Sequence, residues 1–357
     1  MKYIDIYKSL KSDIISGRYK PDSKMPSALE LRSIFKVSLR TIQHSLNLLK
    51  TEGLVKGVRS QGIFVRNTHD LPANTRRKSS GQIEKVGVLY PRYSMHTIWS
   101  PYFYHMFWGI QNLLVREKIR CYLIETKDKT IQELFREINA LQIGGLICLE
   151  LENEILQKEL EQLRIPLVHV ELTSFKSSTP LVAANHFQGG ELAVRHLHKL
   201  GHGKILFLYA RKKNDPIMGP TTKMRWQGVQ SEAKKNKISA VKEFVLHQAP
   251  GEGLRRSLNT VLNTHAECTG IIITTDYMLR ELKSMLESEV TGSGPQLDFV
   301  SFDEEIQVPE IRGRPVQFCL WDKGLMGAKA VETLLAWNSK PPRKQYLPMF
   351  LKGSVKS

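Results

Sequence analysis

Met25-Pro26-Ser27-Ala28-Leu29-Glu30-Leu31-Arg32-Ser33-Ile34-Phe35-Lys36-Val37-Ser38-Leu39-Arg40-Thr41-Ile42-Gln43-His44-Ser45-Leu46-Asn47-Leu48-Leu49 reads as two helices around a tight turn at Lys36-Val37. Ser27 follows a proline and has Glu30 three residues on, the pattern of a capping box. Ser38 stands where the second helix needs an N-cap. Ile42, Leu46 and Leu49 fall at i, i+4 and i+7 and make one apolar stripe. The opposite face carries Arg40, Gln43, His44 and Asn47, long donors and acceptors that reach base edges and phosphates. A polar-faced helix packed on a short partner is the helix-turn-helix arrangement.

The flanks extend this reading. Upstream, Tyr3 to Ser16 has Ile6, Leu10 and Ile14 on one helical face, and Gly17 ends that helix. Downstream, Leu54-Val55 opens a short strand, Gly57-Val58-Arg59-Ser60-Gln61-Gly62 turns, and Ile63-Phe64-Val65 returns. A basic hairpin after a helix-turn-helix is a wing, placed to touch the DNA backbone or minor groove. Charge agrees. Of a net +17, residues 1–80 hold 16 Lys+Arg against 6 Asp+Glu, and the remainder hold 36 against 29. A basic module that meets a polyanion has this asymmetry; a generally basic, solvated surface is the plainer alternative.

These residues resemble the winged-helix domain of the GntR (gluconate-repressor) family of bacterial regulators. The likeness covers about residues 2–66. Ser16 to Pro21 resembles the family's opening turn, and Met25-Pro26-Ser27 with Glu30-Leu31 its Leu-Pro-Ser…Glu-Leu. Val37-Ser38 with Thr41-Ile42 resembles the start of its recognition helix, and Leu48 to Val65 its Leu-x-x-Glu-Gly-Leu and wing. The chain departs where the family often has Arg, at Leu29, Leu39 and Gln43, and where it often has Gly, at Ser60. The resemblance implies a double-stranded DNA operator as partner, met by Ser27, Arg32, Ser38, Arg40, Thr41, Gln43, His44, Arg59, Gln61 and Gly62.

Residues 67–84 are polar, with Pro72, Arg76-Arg77-Lys78 and Ser79-Ser80-Gly81, and read as a linker. The basic triplet either touches phosphates or is simply solvated. From Lys85 the pattern becomes strand–helix alternation. Apolar runs at Val86-Tyr90, Cys121-Ile124, Gly145-Leu149, Pro166-Val170, Lys204-Leu208, Gly270-Thr274 and Phe299-Phe302 alternate with helical stretches. Continuous apolar strands between helices predict parallel sheets covered on both faces. Some 270 residues of this pattern predict two sheet subdomains. The expected fold class is therefore α/β: a winged helix-turn-helix over 1–66, then a two-lobed ligand-binding and dimerisation domain over 85–357.

Five motifs in order resemble the effector domain of the LacI/GalR (lactose-repressor) family, which is built like periplasmic sugar-binding proteins. They are Gly189-Gly190 through Leu200-Gly201-His202, Met224-Arg225-Trp226-Gln227-Gly228-Val229, Thr274-Thr275-Asp276, Ser301-Phe302-Asp303-Glu304, and Leu325-Met326-Gly327 to Leu334-Leu335. Ala184 stands where the family commonly has an acid, and Thr275 where it has Asn. The resemblance implies a small-molecule effector, a sugar above all. Arg225, Asp276 and Asp303 fall at strand ends, where open α/β sheets bind ligands. Arg225 and Asp303 read as bracketing a polyol or as a salt bridge, and Asp276 equally as a helix cap. Tyr93, Trp99, Phe103 and Trp321 are the aromatic candidates for stacking on a sugar; Phe107 and Trp108 are expected in the core.

Other classes find little support. Cys121, Cys148, Cys268 and Cys319 are far apart, show no zinc spacing and read as buried free thiols in a reducing cytoplasm. No cofactor or metal is expected. Gly189-Gly190 is not followed by GK[ST], so it is no phosphate loop. His169, His186, His196, His198 and His202 lack an accompanying nucleophile or acid pair, and read as structural. Neither a secretory signal nor a membrane-length apolar run is evident. The expected function is a cytoplasmic, homodimeric, ligand-controlled transcription regulator, by default a repressor. The rival is a solute-binding protein or an enzyme-like sensor with an incidental basic N-terminus.

Overall fold

The structure, a computed structural model, describes residues 3–15, 18–20, 22–51, 54–58, 61–65, 83–91, 101–151, 153–163, 165–171, 179–211, 218–246, 251–275, 277–288, 296–302, 308–339 and 343–352. In chain order the N-terminal part has α1 (Tyr3–Ile15), α2 (Ala28–Phe35), α3 (Leu39–Thr51), β1 (Val55–Val58) and β2 (Gly62–Val65). There follow β3 (Lys85–Tyr90), α4 (Pro101–Arg116), β4 (Arg120–Glu125), α5 (Ile131–Ala140), β5 (Gly145–Leu149), α6 (Glu154–Gln162), β6 (Leu167–Val170), β7 (Leu181–Ala184) and α7 (His186–Lys199). Then come β8 (Lys204–Arg211), α8 (Pro220–Lys235), β9 (Ser239–Leu246), α9 (Glu252–Thr264), β10 (Gly270–Ile273), α10 (Tyr277–Ser288) and β11 (Asp298–Phe302). The last elements are β12 (Glu310–Ile311), β13 (Arg314–Pro315), β14 (Gln317–Leu320), α11 (Lys323–Leu335), β15 (Lys344–Leu347) and β16 (Phe350–Leu351). The chain divides into two compact units: Met1–Tyr93 with Lys118–Leu167, and Ser94–Glu117 with Val168–Ser357.

In the first unit the expected local signals are in place. Ser27 and Glu30 form a reciprocal capping box on α2, and Lys36, at φ 51°, ends it in the left-handed conformation. The bonds from Ser27 hold the Glu30 carboxylate below its usual range. Ile42, Leu46 and Leu49 are buried with Ile6, Leu10, Met25 and Leu31. That core also takes in Ile155 of α6, with Ile131 of α5 packed against it. Strands β4, β3 and β5 run parallel side by side over Leu134, Phe135, Ile138, Leu156 and Leu160.

In the second unit β6, β7 and β15 are parallel neighbours. A six-stranded sheet runs β16-β14-β11-β10-β8-β9, parallel except for β16. Strands β10 and β11 are buried at every position, as continuous apolar runs require. Two pairs of helices meet at glycines. An added Cβ on Gly190 of α7 would lie 2.1 Å from the Arg225 carbonyl of α8, and one on Gly228 would lie 1.9 Å from the Phe187 carbonyl. The contact between α4 and α11 is the same: Gly109 faces the Gly324 carbonyl at 1.9 Å and Gly327 the Met106 carbonyl at 2.0 Å. Only hydrogen in place of Cβ permits such approach.

One core expectation is corrected. Trp108 is 54% exposed and stacks on the exposed Tyr104 along α4, while Phe107 is half-buried. The aromatic run follows residue type, but helical phase turns Trp108 outward. Cys148, Cys268 and Cys319 are buried, Cys121 is half-buried, and all four are free.

Candidate functional site

The first site is the outer face of α3. Arg40, Gln43, His44 and Asn47 are exposed, on the side opposite the buried stripe. Ser38 accepts the Thr41 N–H at 3.2 Å and its hydroxyl pairs with the Thr41 hydroxyl at 2.7 Å, so both are spent on starting the helix. Ser27 is likewise engaged in its cap, while Arg32 is exposed on α2. Two contacts outside the motif set the pose of α3. The buried Ser45 hydroxyl donates to the Tyr3 carbonyl at 2.7 Å, and the Tyr3 ring lies 4.5 Å from the His44 ring. The wing is braced too. Met25 N–H donates to Ile63 at 2.8 Å and Val65 N–H to Ser23 at 2.9 Å, tying β2 to the chain just before α2. Gln61 and Gly62 are exposed at the tip, where Gly62 needs φ +112°. Arg59 lies outside the described residues.

The second site lies in the second unit, at the C-terminal ends of β6, β10, β11 and β14. Asn185 caps α7 by accepting the Gln188 N–H at 3.1 Å, which brings His186 to the start of that helix. The glycine contact between α7 and α8 sets Arg225 beside it. Arg225 is 4% exposed. Its Nε donates to His186 Nδ1 at 3.3 Å and its Nη1 to the Thr274 carbonyl at 2.9 Å. The guanidinium lies 4.1 Å from the Phe302 ring and 5.8 Å from the Trp321 ring. On the other side of the imidazole, His186 Nε2 meets Glu171 Oε2 at 3.0 Å. Glu171 follows β6 directly and holds φ +68°, left-handed backbone that a non-glycine residue seldom adopts.

Aromatic rings complete the group. Trp321 stands edge-on to His186 at 5.4 Å and to Tyr102 at 6.1 Å, and Lys323 lies 4.8 Å from its centroid. Phe103 is buried and edge-on to Tyr102 at 5.0 Å. Three buried atoms here have no hydrogen-bond partner among the described residues: Glu171 Oε1, Trp321 Nε1 and Thr275 Oγ1. Leaving such groups unpaired costs about 1–3 kcal/mol each, which a ligand bearing hydroxyls would recover. Of the sequence candidates, Arg225 and Trp321 are thus brought together and Phe103 lies in the adjoining aromatic cluster. Tyr93, Trp99, Asp276 and Asp303 lie outside the described residues. Glu171 and His186 were not anticipated as members.

His202, by contrast, is structural as expected. Its Nε2 bonds Asp298 Oδ2 and its Nδ1 the Thr269 hydroxyl, each at 2.8 Å. Among the described residues no group of three His, Cys, Asp or Glu is placed to hold a metal, and no helix is long and apolar enough to cross a membrane.

Residues 2–65 match the family model for bacterial regulatory proteins of the gntR family. Residues 83–236 match that for periplasmic binding proteins and the sugar binding domain of the LacI family. The chain joins a gntR-type helix-turn-helix domain to a LacI-type effector domain. α3 and the wing belong to the first domain, and His186 and Arg225 to the matched part of the second. An arabinose metabolism transcriptional repressor of Geobacillus stearothermophilus is 23% identical, over 94% of this chain and 90% of its own. The transcriptional repressor PurR of Histophilus somni (strain 2336) is 20% identical over 90% and 96%. A solved complex of the transcriptional regulator CelR with cellobiose superposes with TM-score 0.62 at 14% identity, covering 88% of this chain and 90% of that one, and shows the shared fold.

Proposed function

We propose that this protein is a transcriptional repressor whose operator binding is controlled by a sugar held at the Glu171–His186–Arg225–Trp321 cluster. The observation that carries the reading is the pairing, in one chain, of an exposed polar recognition face on α3 with a buried polar cluster that has unmet hydrogen bonds. The names of the relatives, an arabinose repressor and a cellobiose complex, support a sugar. Residues 1–66 act as the DNA-binding domain, 67–84 as the linker and 85–357 as the effector and dimerisation domain. A single recognition helix reads few base pairs, so the working form is a homodimer on a pseudo-palindromic operator. The sugar changes operator affinity by binding one conformation better than another.

The test is fluorescence anisotropy of the protein on its own promoter DNA, with and without arabinose or cellobiose. Operator affinity falls steeply with salt, since phosphate contacts release counterions. Changing Gln43 or His44 alters sequence preference by about 1–3 kcal/mol per base contact, while Arg40→Ala weakens all sequences alike. A flat salt response overturns the DNA half of the reading. A melting temperature and operator affinity untouched by any sugar overturn the effector half.

A further inference from the structure

The imidazole of His186 is 1% exposed and held between an arginine and a carboxylate. Arg225 Nε always carries hydrogen, so at 3.3 Å the His186 Nδ1 facing it must accept. That leaves the single proton of a neutral ring on Nε2, from which it donates to Glu171 Oε2 at 3.0 Å. The three side chains form a one-way relay: Arg225 donates to His186, and His186 donates to Glu171. Their ends are pinned elsewhere, Arg225 by the Thr274 carbonyl and the Phe302 ring, and Glu171 by its backbone N–H on the Val182 carbonyl.

We propose that His186, as the neutral Nε2–H tautomer, is the positioning residue of the effector site, orienting Glu171 Oε1 and the Arg225 guanidinium toward the ligand. This rests on reading the cluster as the effector site. Protonation would set an Nδ1–H against the Arg225 Nε–H at 3.3 Å, two donors face to face and two cations in one buried place. Arg225 must then withdraw, and the site loses its geometry. Among the described residues, the charged groups seen in contact with the ring are Glu171 from the end of β6 and Arg225 from α8. A third element brings the uncharged Trp321, whose ring also meets Lys323. Effector binding therefore requires the unprotonated ring and weakens about tenfold for each pH unit below its midpoint.

Two readouts test this. The first needs no ligand: long-range proton–nitrogen spectra of the full-length protein labelled at histidine, with His186 assigned by the signal lost in His186→Gln. At pH 7.5 the ring carries its proton on Nε2 alone; an Nδ1–H form or an imidazolium there overturns the proposal. The second is calorimetric titration with arabinose from pH 8 to pH 5. A glutamine amide accepts through oxygen and donates through nitrogen but does not titrate, so His186→Gln retains more neutral-pH affinity than His186→Phe and flattens the pH profile. His186→Phe keeps the ring packing on Trp321, folds as judged by circular dichroism, and loses affinity at every pH. A glutamine variant with the wild-type pH profile, or a phenylalanine variant with wild-type affinity, overturns the proposal. If arabinose binds at no pH, the choice of that sugar fails, and the spectrum still decides the tautomer.

Discussion

Gly190→Ala strikes the joint that assembles the proposed effector site. The new methyl would sit 2.1 Å from the Arg225 carbonyl oxygen and 2.8 Å from the Val229 nitrogen, whereas ordinary contact begins near 3.4 Å. Both obstacles are helix backbone, so no side chain can swing aside, and α7 and α8 must separate by roughly an ångström. Overpacking of this kind costs about 1–3 kcal/mol. Alanine's better helix propensity returns about 1 kcal/mol, which leaves a net loss of up to about 2 kcal/mol. At about 2–4 °C per kcal/mol for a domain of this size, the melting temperature falls by up to several degrees. The second effect is local. His186 is on α7 and Arg225 on α8, and their bond is already 3.3 Å long. Separation breaks it. A hydrogen bond to a charged group contributes about 1.5–3 kcal/mol, so sugar affinity drops roughly ten- to a hundredfold. Operator affinity without sugar stays as in the wild type, because α3 and the wing lie in the other unit. Differential scanning fluorimetry, sugar calorimetry and operator anisotropy measure the three quantities. Gly203→Ala is the control, since nothing lies within 4 Å of its added Cβ. If Gly190→Ala melts and binds sugar as the wild type does, the glycine contact is not what places Arg225.

Two further outcomes concern pH. Burial pushes the Asp298 carboxyl up, but the bonds from Arg314 and His202 outweigh it and hold the group below its ordinary value. The stability this confers is present at neutral pH and is lost as pH falls below the usual carboxylate range. Asp298→Asn therefore melts lower than the wild type at pH 7, with the gap closing toward pH 3; a gap independent of pH would refute the assignment. Glu159 of α6 has the opposite sign: burial pushes its carboxyl up to about 7, and its Oε2 has no partner among the described residues. Folding then favours the protonated form, and stability is lost as pH rises toward and beyond 7. Glu159→Gln raises the melting temperature at pH 8 and leaves it unchanged near pH 4, and an equal effect at both would show that charge burial is not the cause.

What could be read from the residues was what depends on neighbours in sequence. The capping box at Ser27, the stripe Ile42-Leu46-Leu49 and the apolar strands β5, β6, β10 and β11 are local patterns with a fixed period, and they fold as written. Arg225 could be proposed from its motif, although it lies on α8 and not at the strand end expected of it, and Trp321 as an aromatic ring suited to stacking. His186 and Glu171 could not. Each is a single polar residue beside an apolar strand, and only the fold brings them, 15 positions apart, to 3.0 Å. Tyr3 under His44 is the same case across 41 positions, and Ile155 joins a winged-helix core whose last member, Val65, is 90 positions away. Trp108 failed for another reason: aromatic character says that a side chain prefers burial, not which way a helix turns it.

The glycines tie these two kinds of information together. Gly189-Gly190 and Gly228 were legible as motif letters, yet none of them offers a side chain to a ligand. Their work is spacing. Gly190 and Gly228 let α7 and α8 touch backbone to backbone, and His186 meets Arg225 as a result. Gly109, Gly324 and Gly327 do the same for α4 and α11, and Tyr102 meets Trp321. A binding cluster made of long or planar side chains on four different elements needs those elements fixed to within a fraction of an ångström, and a backbone contact with no intervening side chain is the stiffest way to fix them. The cost of altering these glycines should therefore appear first in the response to the effector, and only second in stability.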